Sequence, residues 1–338
     1  MRTSSESSRS IPVTIAVDKE TRLSKHRFLI IGGASKAGTT SVFTYLSEHP
    51  QICASATKET RFFLDPDYPL RSEMRCQRDG PDAYLSFFDV QAAGSEKTWK
   101  LEATPDYLYS PRTPDLIKQT LPNACFIFIL REPSRRLLSF YQFGRQLNEI
   151  SRAMTFDDYV ELQKNNPLSG RAQQKYRHPV FDALEHGRYS HYLGRFLELF
   201  GRPAVYIGFY EELQRDPHSF MIPICQWADI DETFYQDYSF QIKNAGFTAR
   251  SSRLHRVYFE TRARARRLVR QRPRLRSALR QMGHKVNSVY QRLNSTKREQ
   301  VLMSHSTKDF IAAYYQDEPA RLKELLGIDV PWLQTVPR

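Results

Sequence analysis

The segment Phe28–Gly33, FLIIGG, constrains this 338-residue chain more than any other. A short apolar run closes on two glycines, the small-residue loop ASKAG follows, and Thr39–Glu48 then carries apolar residues at Val42, Phe43, Tyr45 and Leu46. Such a run suits a strand buried on both faces, and the spacing after the loop is that of a helix. Pro50 disfavours helical geometry at His49, so the helix is expected to stop there, with His49 in a structural role. Strand, glycine-rich turn and helix in this order suit an anion. Small residues let successive backbone N–H groups turn inward, and the helix start adds a partial positive charge.

The pattern recurs. Cys125–Leu130, CFIFIL, reads as a second buried strand; Pro133 is then placed as a first helical residue, and Leu137, Leu138 and Tyr141 form a helical stripe. Farther on, Tyr189–Phe200 is amphipathic, Ala204–Phe209 is strand-like and Glu211–Trp227 reads as one helix. Strands alternating with helices predict an α/β fold, a central parallel sheet flanked by helices. With no internal repeat or long linker, residues 26–338 are expected to form a single domain after a mobile Ser- and Arg-rich tail at 1–25. The weakly patterned stretches 65–100 and 148–188 read as insertions that shape an acceptor site.

No apolar stretch approaches the ~20 residues of a membrane span, and the first twenty residues lack the apolar stretch of a secretory leader. Cys53, Cys76, Cys125 and Cys225 are too scattered for a disulfide framework or a metal knuckle. The expectation is a reducing, cytoplasmic setting. Of the formal net charge of +13, the segment Arg250–Lys285 supplies +12, with thirteen Arg and Lys against Glu260. That segment is read as a solvated helix pair, with peripheral contact to anionic membrane or steering of an acidic glycan as the alternatives. Sparse aromatic interleaving and the lack of a known module argue against nucleic acid as a partner.

Gly33 and Gly38 have the separation of a Walker A loop, yet Thr39 stands where that loop has its lysine, and Lys36 lies two residues before the second glycine. A Mg·ATP site is hard to build this way, so a P-loop kinase or NTPase is the weaker enzyme reading. At the end of the second strand Arg131 occupies the sheet edge where open α/β folds bind ligands. Ser139 lies about two helical turns on, and an Arg with a hydroxyl there would suit a second phosphate.

Together SKAGTT, KETRFF (Lys58–Phe63), LEATPDYLYSP (Leu101–Pro111) and FIFILREPSRRLLSFY (Phe126–Tyr141) resemble the PAPS-dependent sulfotransferases, in particular the heparan-sulfate-type branch and its bacterial relatives. The likeness runs through GRYSHYLGRFLELF and FYEELQRDP to LKELLGIDVPW, roughly residues 26–332. It implies the P-loop-related sulfotransferase fold and an enzyme that moves a sulfuryl group from PAPS to an acceptor and releases PAP, with no metal expected. The 5′-phosphosulfate loop of that family matches Ser35, Lys36, Ala37, Gly38, Thr39 and Thr40, and its 3′-phosphate motif matches Arg131 and Ser139. The late basic loop that completes the 3′ site matches Lys243–Ser252 loosely, with Lys243 and Arg250 as donors. In-line displacement by a hydroxyl needs a base and a cation at the leaving oxygen. The resemblance assigns these to Glu59 and Lys36. Glu102 is the runner-up, as a residue that positions the base or binds acceptor. Several relatives carry a lysine after the matching acid, where this chain has Ala103. The implied acceptor is a glycan; a lipid or secondary metabolite fits the same motifs. A non-enzymatic basic adaptor that binds PAP without transferring sulfate is the remaining alternative.

Overall fold

A computed structural model describes residues 22–89, 99–165, 178–240, 248–249, 295–296 and 301–334. Five strands form one parallel sheet: β1 (Arg27–Gly33), β2 (Ile52–Ala54), β3 (Trp99–Ala103), β4 (Cys125–Leu130) and β5 (Val205–Phe209), in the order β2-β3-β1-β4-β5. Leu29, Ile30 and Ile31 of β1 and Phe126 through Leu130 of β4 are completely buried. That is why both read as unbroken apolar runs rather than alternating ones. From β1 the chain passes to β2 and β3 on one side and then to β4 on the other. The carboxyl ends of β3, β1 and β4 therefore open side by side at the switch point of the sheet, where such folds bind ligands.

Helices α1 (Thr39–Glu48), α2 (Cys76–Asp79), α3 (Thr113–Thr120), α4 (Pro133–Leu147), α5 (Phe156–Lys164) and α6 (Tyr189–Phe200) follow the sequence pattern closely wherever it was strong. His49 ends α1 in extended geometry, as Pro50 requires, and is 2% exposed with its Nε2 at 2.8 Å from the Asp231 carbonyl. The expected helix over Glu211–Trp227 is instead two, α7 (Tyr210–Arg215) and α8 (Pro217–Ala228). Pro217 forces Asp216 out of helical geometry, and the Asp216 carboxylate then accepts from the His218 and Ser219 N–H groups as the cap of α8. The expected tail is also shorter at its inner end. Arg22–Lys25 form a 3-10 turn that buries Leu23 in the main core.

A second apolar cluster lies on the far side of α4. Leu137, Phe140 and Tyr141 pack there against Phe156, Tyr159, Val180 and, from α9 (His305–Tyr315), Ile311 and Tyr315. Part of the weakly patterned 148–188 stretch is thus a buttress for α4. The last helix, α10 (Glu318–Leu326), caps α6: Glu318 accepts from Ser190 N at 2.8 Å and Ser190 Oγ at 2.9 Å. Among the described residues no helix is long and apolar enough to cross a membrane. Lys243, Arg250 and the Arg250–Lys285 segment lie outside the described residues.

Candidate active site

Three glycines let the loop after β1 follow its path. A Cβ on Gly32 would stand 2.7 Å from the Phe128 ring, and one on Gly33 would stand 2.8 Å from Leu108. Gly38 takes φ +86 as the N-cap of α1, and a Cβ there would meet Leu213 at 2.8 Å and Tyr210 at 2.9 Å. Lys36 also lies at positive φ, 71°. No side chain caps α1 and no acid stands in its first turn, so the field at the helix start favours an incoming anion.

Arg131, at the end of β4, reaches back across this loop. Its Nη1 donates to the Lys36 carbonyl at 3.1 Å, and its guanidinium lies 4.6 Å from the centre of the Tyr210 ring. Its backbone is held as well: the Tyr189 hydroxyl donates to the Arg131 carbonyl at 2.7 Å, and the Glu132 N–H donates to Glu211 at 3.0 Å. Glu211 also accepts from Trp332 Nε1, at 3.0 Å, while Glu132 caps α4 through the Ser134 and Arg135 N–H groups. The Lys36 ammonium sits 4.1 Å from the centre of the Phe143 ring on α4. Ser139 precedes Phe143 by four residues, so the two share the face of α4 turned toward Lys36. Both expected anion-binding elements therefore meet at one sheet edge.

The KETRFF segment folds over the end of β3. Glu59 N donates to the Ala103 carbonyl at 2.8 Å, Thr60 N to Glu102 Oε1 at 3.3 Å, and Arg61 N to Thr104 Oγ1 at 3.1 Å. Phe62 and Phe63 anchor it from below, completely buried against Tyr84. Glu59 stays at the surface of the site with its side chain one-third exposed (33%), paired with Lys58 at 2.8 Å and Arg61 at 3.1 Å. Burial works against its charge, but the Lys58 ammonium and Arg61 guanidinium outweigh it and hold the carboxyl at about 2.

Glu102 behaves in the opposite way. It is 0% exposed, and burial pushes its carboxyl up to about 7 against hydrogen bonds from Thr104 and Thr60. Thr60 Oγ1 and Thr104 Oγ1 donate to Oε1, and the Tyr84 hydroxyl lies 3.5 Å from Oε2. Glu102, expected to position the base or bind acceptor, lies with its side chain beneath the KETRFF segment and ties it to β3. Of these two, Glu59 is the more exposed carboxylate.

The family model of the sulfotransferase domain matches residues 26–254. The chain belongs to the sulfotransferase family. Among its relatives, the human bifunctional heparan sulfate N-deacetylase/N-sulfotransferase 2 is 29% identical over 210 residues, 60% of this chain and 22% of that protein. The membrane-associated sulfotransferase kil1 of Dictyostelium discoideum is 34% identical over 119 residues, 35% of this chain and 23% of that one. The chain thus spans less than a quarter of the length of these curated relatives. A solved sulfotransferase from Alicyclobacillus acidocaldarius shares the fold, with a TM-score of 0.60 and 22% identity over 89% of this chain and 96% of that one.

Sequence reasoning passed over several residues that stand around this candidate site. Tyr210 follows β5 directly at the ligand-binding edge, a position that marks it without any motif. Phe143 falls one helical turn beyond Ser139. Asp106, three residues past the end of β3, is an acid at the same edge and was legible there on the same ground.

Proposed function

We propose that this chain moves a sulfuryl group from PAPS to a hydroxyl of a carbohydrate acceptor, with Glu59 as general base and Lys36 opposite the leaving group. The supporting observation is the hydrogen bond from Arg131 to the Lys36 carbonyl, 3.1 Å long, which brings the two candidate anion-binding elements together at one sheet edge. A donor with phosphate at the 5′ and 3′ positions of one ribose needs such a pair. The glycine loop and α1 start would cradle its 5′ end, and Arg131 with Ser139 its 3′ end. The residues present fit that donor.

In the reaction Glu59 takes the acceptor hydroxyl proton as the new O–S bond forms and the bond from sulfur to the 5′-phosphate oxygen breaks. Lys36 and the loop N–H groups meet the negative charge that develops on that departing oxygen. Glu59 is ionised across the working pH range because Lys58 and Arg61 flank it. The carbohydrate acceptor follows the heparan sulfate relatives by likeness and goes no further than that.

Calorimetric titration with PAP, beside ADP and Mg·ATP, followed by labelled-sulfate transfer to a panel of sugars tests the reading. Lys36→Ala and Arg131→Ala should each weaken PAP at least tenfold, whereas Glu59→Ala should keep PAP affinity and lose turnover. Tight Mg·ATP binding with no affinity for PAP would overturn the reaction class. Full turnover in Glu59→Ala would overturn the base.

A further inference from the structure

One polar group at this edge has no part in the chemistry so far. Asp106 lies in the 3-10 turn Pro105–Tyr109 that leaves β3 and packs on β1, with Leu108 against Gly33 at the root of the glycine loop. The residue is 8% exposed, and Tyr68, half-buried, donates to Oδ1 at 3.0 Å. Among the described residues this is its one hydrogen bond, so Oδ2 keeps its capacity to accept. Glu59 N donates to the Ala103 carbonyl and Arg61 N to Thr104 Oγ1, so the segment that carries Glu59 runs along the chain just before Asp106. Tyr109, one 3-10 turn further and on the same side, is 5% exposed, and its buried hydroxyl also has no partner among the described residues. Tyr109 is within electrostatic reach of Asp106 and Tyr68. A buried hydroxyl left unpaired, as at Tyr109, is costly unless a ligand supplies its partner, and Asp106 Oδ2 beside it has room for a second hydrogen bond.

We propose that Asp106, set by Tyr68, is the acceptor-positioning and specificity-determining residue of this site: its Oδ2 accepts a hydrogen bond from a hydroxyl or ammonium of the acceptor and turns away anionic acceptors. The inference rests on the sulfuryl-transfer reading and narrows it to uncharged or cationic acceptors. Glu59 is matched by Lys58 and Arg61, whereas Asp106 has no ion pair among the described residues and only the Tyr68 hydroxyl as a hydrogen-bond partner, so a sugar seated on Asp106 meets its negative charge. A carboxylated sugar would meet like charge in a partly dry pocket, where repulsion is poorly screened.

Burial, and then the nearby Glu59 charge, push the Asp106 carboxyl up to about 6, against Arg61, the Tyr68 hydrogen bond and Lys58. Asp106 is ionised above that pH, so acceptor use should rise as pH climbs through about 6.

The test uses the full chain with saturating PAPS and a matched pair of probes, p-nitrophenyl β-glucoside and p-nitrophenyl β-glucuronide, which differ by a carboxylate. The wild type should favour the glucoside at least tenfold in kcat/KM. Asp106→Asn should raise the glucoside KM at least fivefold with kcat changed less. It should also narrow the preference over the glucuronide and flatten the limb near pH 6, while PAP affinity stays put. Tyr68→Phe, a milder change, should shift KM the same way and serves should the Asp106 variant misfold. Loss of PAP binding in the wild type would instead sink the sulfuryl-transfer reading. Intact PAP binding and transfer, with unchanged acceptor KM and preference in both variants, would overturn the inference alone.

Discussion

Glu102→Gln isolates the energetics of the buried carboxyl that ties the KETRFF segment to β3. The amide keeps an oxygen for Thr60 N, Thr60 Oγ1 and Thr104 Oγ1, and turns its NH2 toward the Tyr84 hydroxyl, which can accept. The packing is conserved and only the titration is removed. In the folded protein the carboxyl is raised from 4.5 to about 7, so between those values the unfolded chain releases its proton first. The unfolded state then binds fewer protons than the native one, and stability falls as pH rises. The displacement corresponds to about 3 kcal/mol at 1.36 kcal/mol per pH unit. Relative to wild type, Glu102→Gln should therefore show little difference near pH 4.5 and gain up to about 3 kcal/mol by pH 8. In a chain of this size that is about 4 °C in Tm. Urea and thermal unfolding of both proteins at several pH values from 4.5 to 8 give the difference curve, from which the other titrating groups cancel. Parallel curves across that range would refute the assignment of a buried, late-titrating carboxyl to Glu102.

Two further outcomes follow from the same geometry. Removing the ammonium in Lys58→Met should let the Glu59 carboxyl climb from about 2, since burial then meets less opposition. The acid limb of the kcat–pH profile should appear at least one pH unit higher, because a base at Glu59, as proposed, acts only when ionised; an unmoved limb would count against that role. Gly38→Ala places a methyl group 2.8 Å from Leu213 at φ +86. It should lower stability by about 1–3 kcal/mol in thermal unfolding and PAP affinity at least tenfold in calorimetry, and unchanged affinity would detach the loop from the nucleotide.

Where the chain makes a two-face-buried strand or a short-range helix signal, its sequence and its structure coincide. Cys125–Leu130 and Thr39–Glu48 have the bounds that apolar runs, glycine and proline mark for them. The break at Asp216 was equally local, since a carboxylate before proline is a cap, and the apolar continuity around it hid the signal. β2 offers only three residues, Ile52–Ala54, too few to carry a period. Its place at the sheet edge depends on pairing with Trp99–Leu101 more than forty residues away.

The candidate site divides along the same line. Glycine spacing, Lys36, Arg131 and Ser139 are covalent neighbours of strand ends and helix starts, so one-dimensional order already marks them as candidates for anion binding. Which carboxylate is usable is not a property of its neighbours in sequence. Glu59, Glu102 and Asp106 are alike as letters. Folding leaves one paired and open, a second sealed beneath a loop, and a third half-satisfied at the mouth, through contacts with Lys58 and Arg61, Thr60 and Thr104, and Tyr68. Local order marks where along the chain an anion would be gripped. Charge state depends on dielectric and on partners brought in from other strands, so only the tertiary structure decided how each acid is buried and paired.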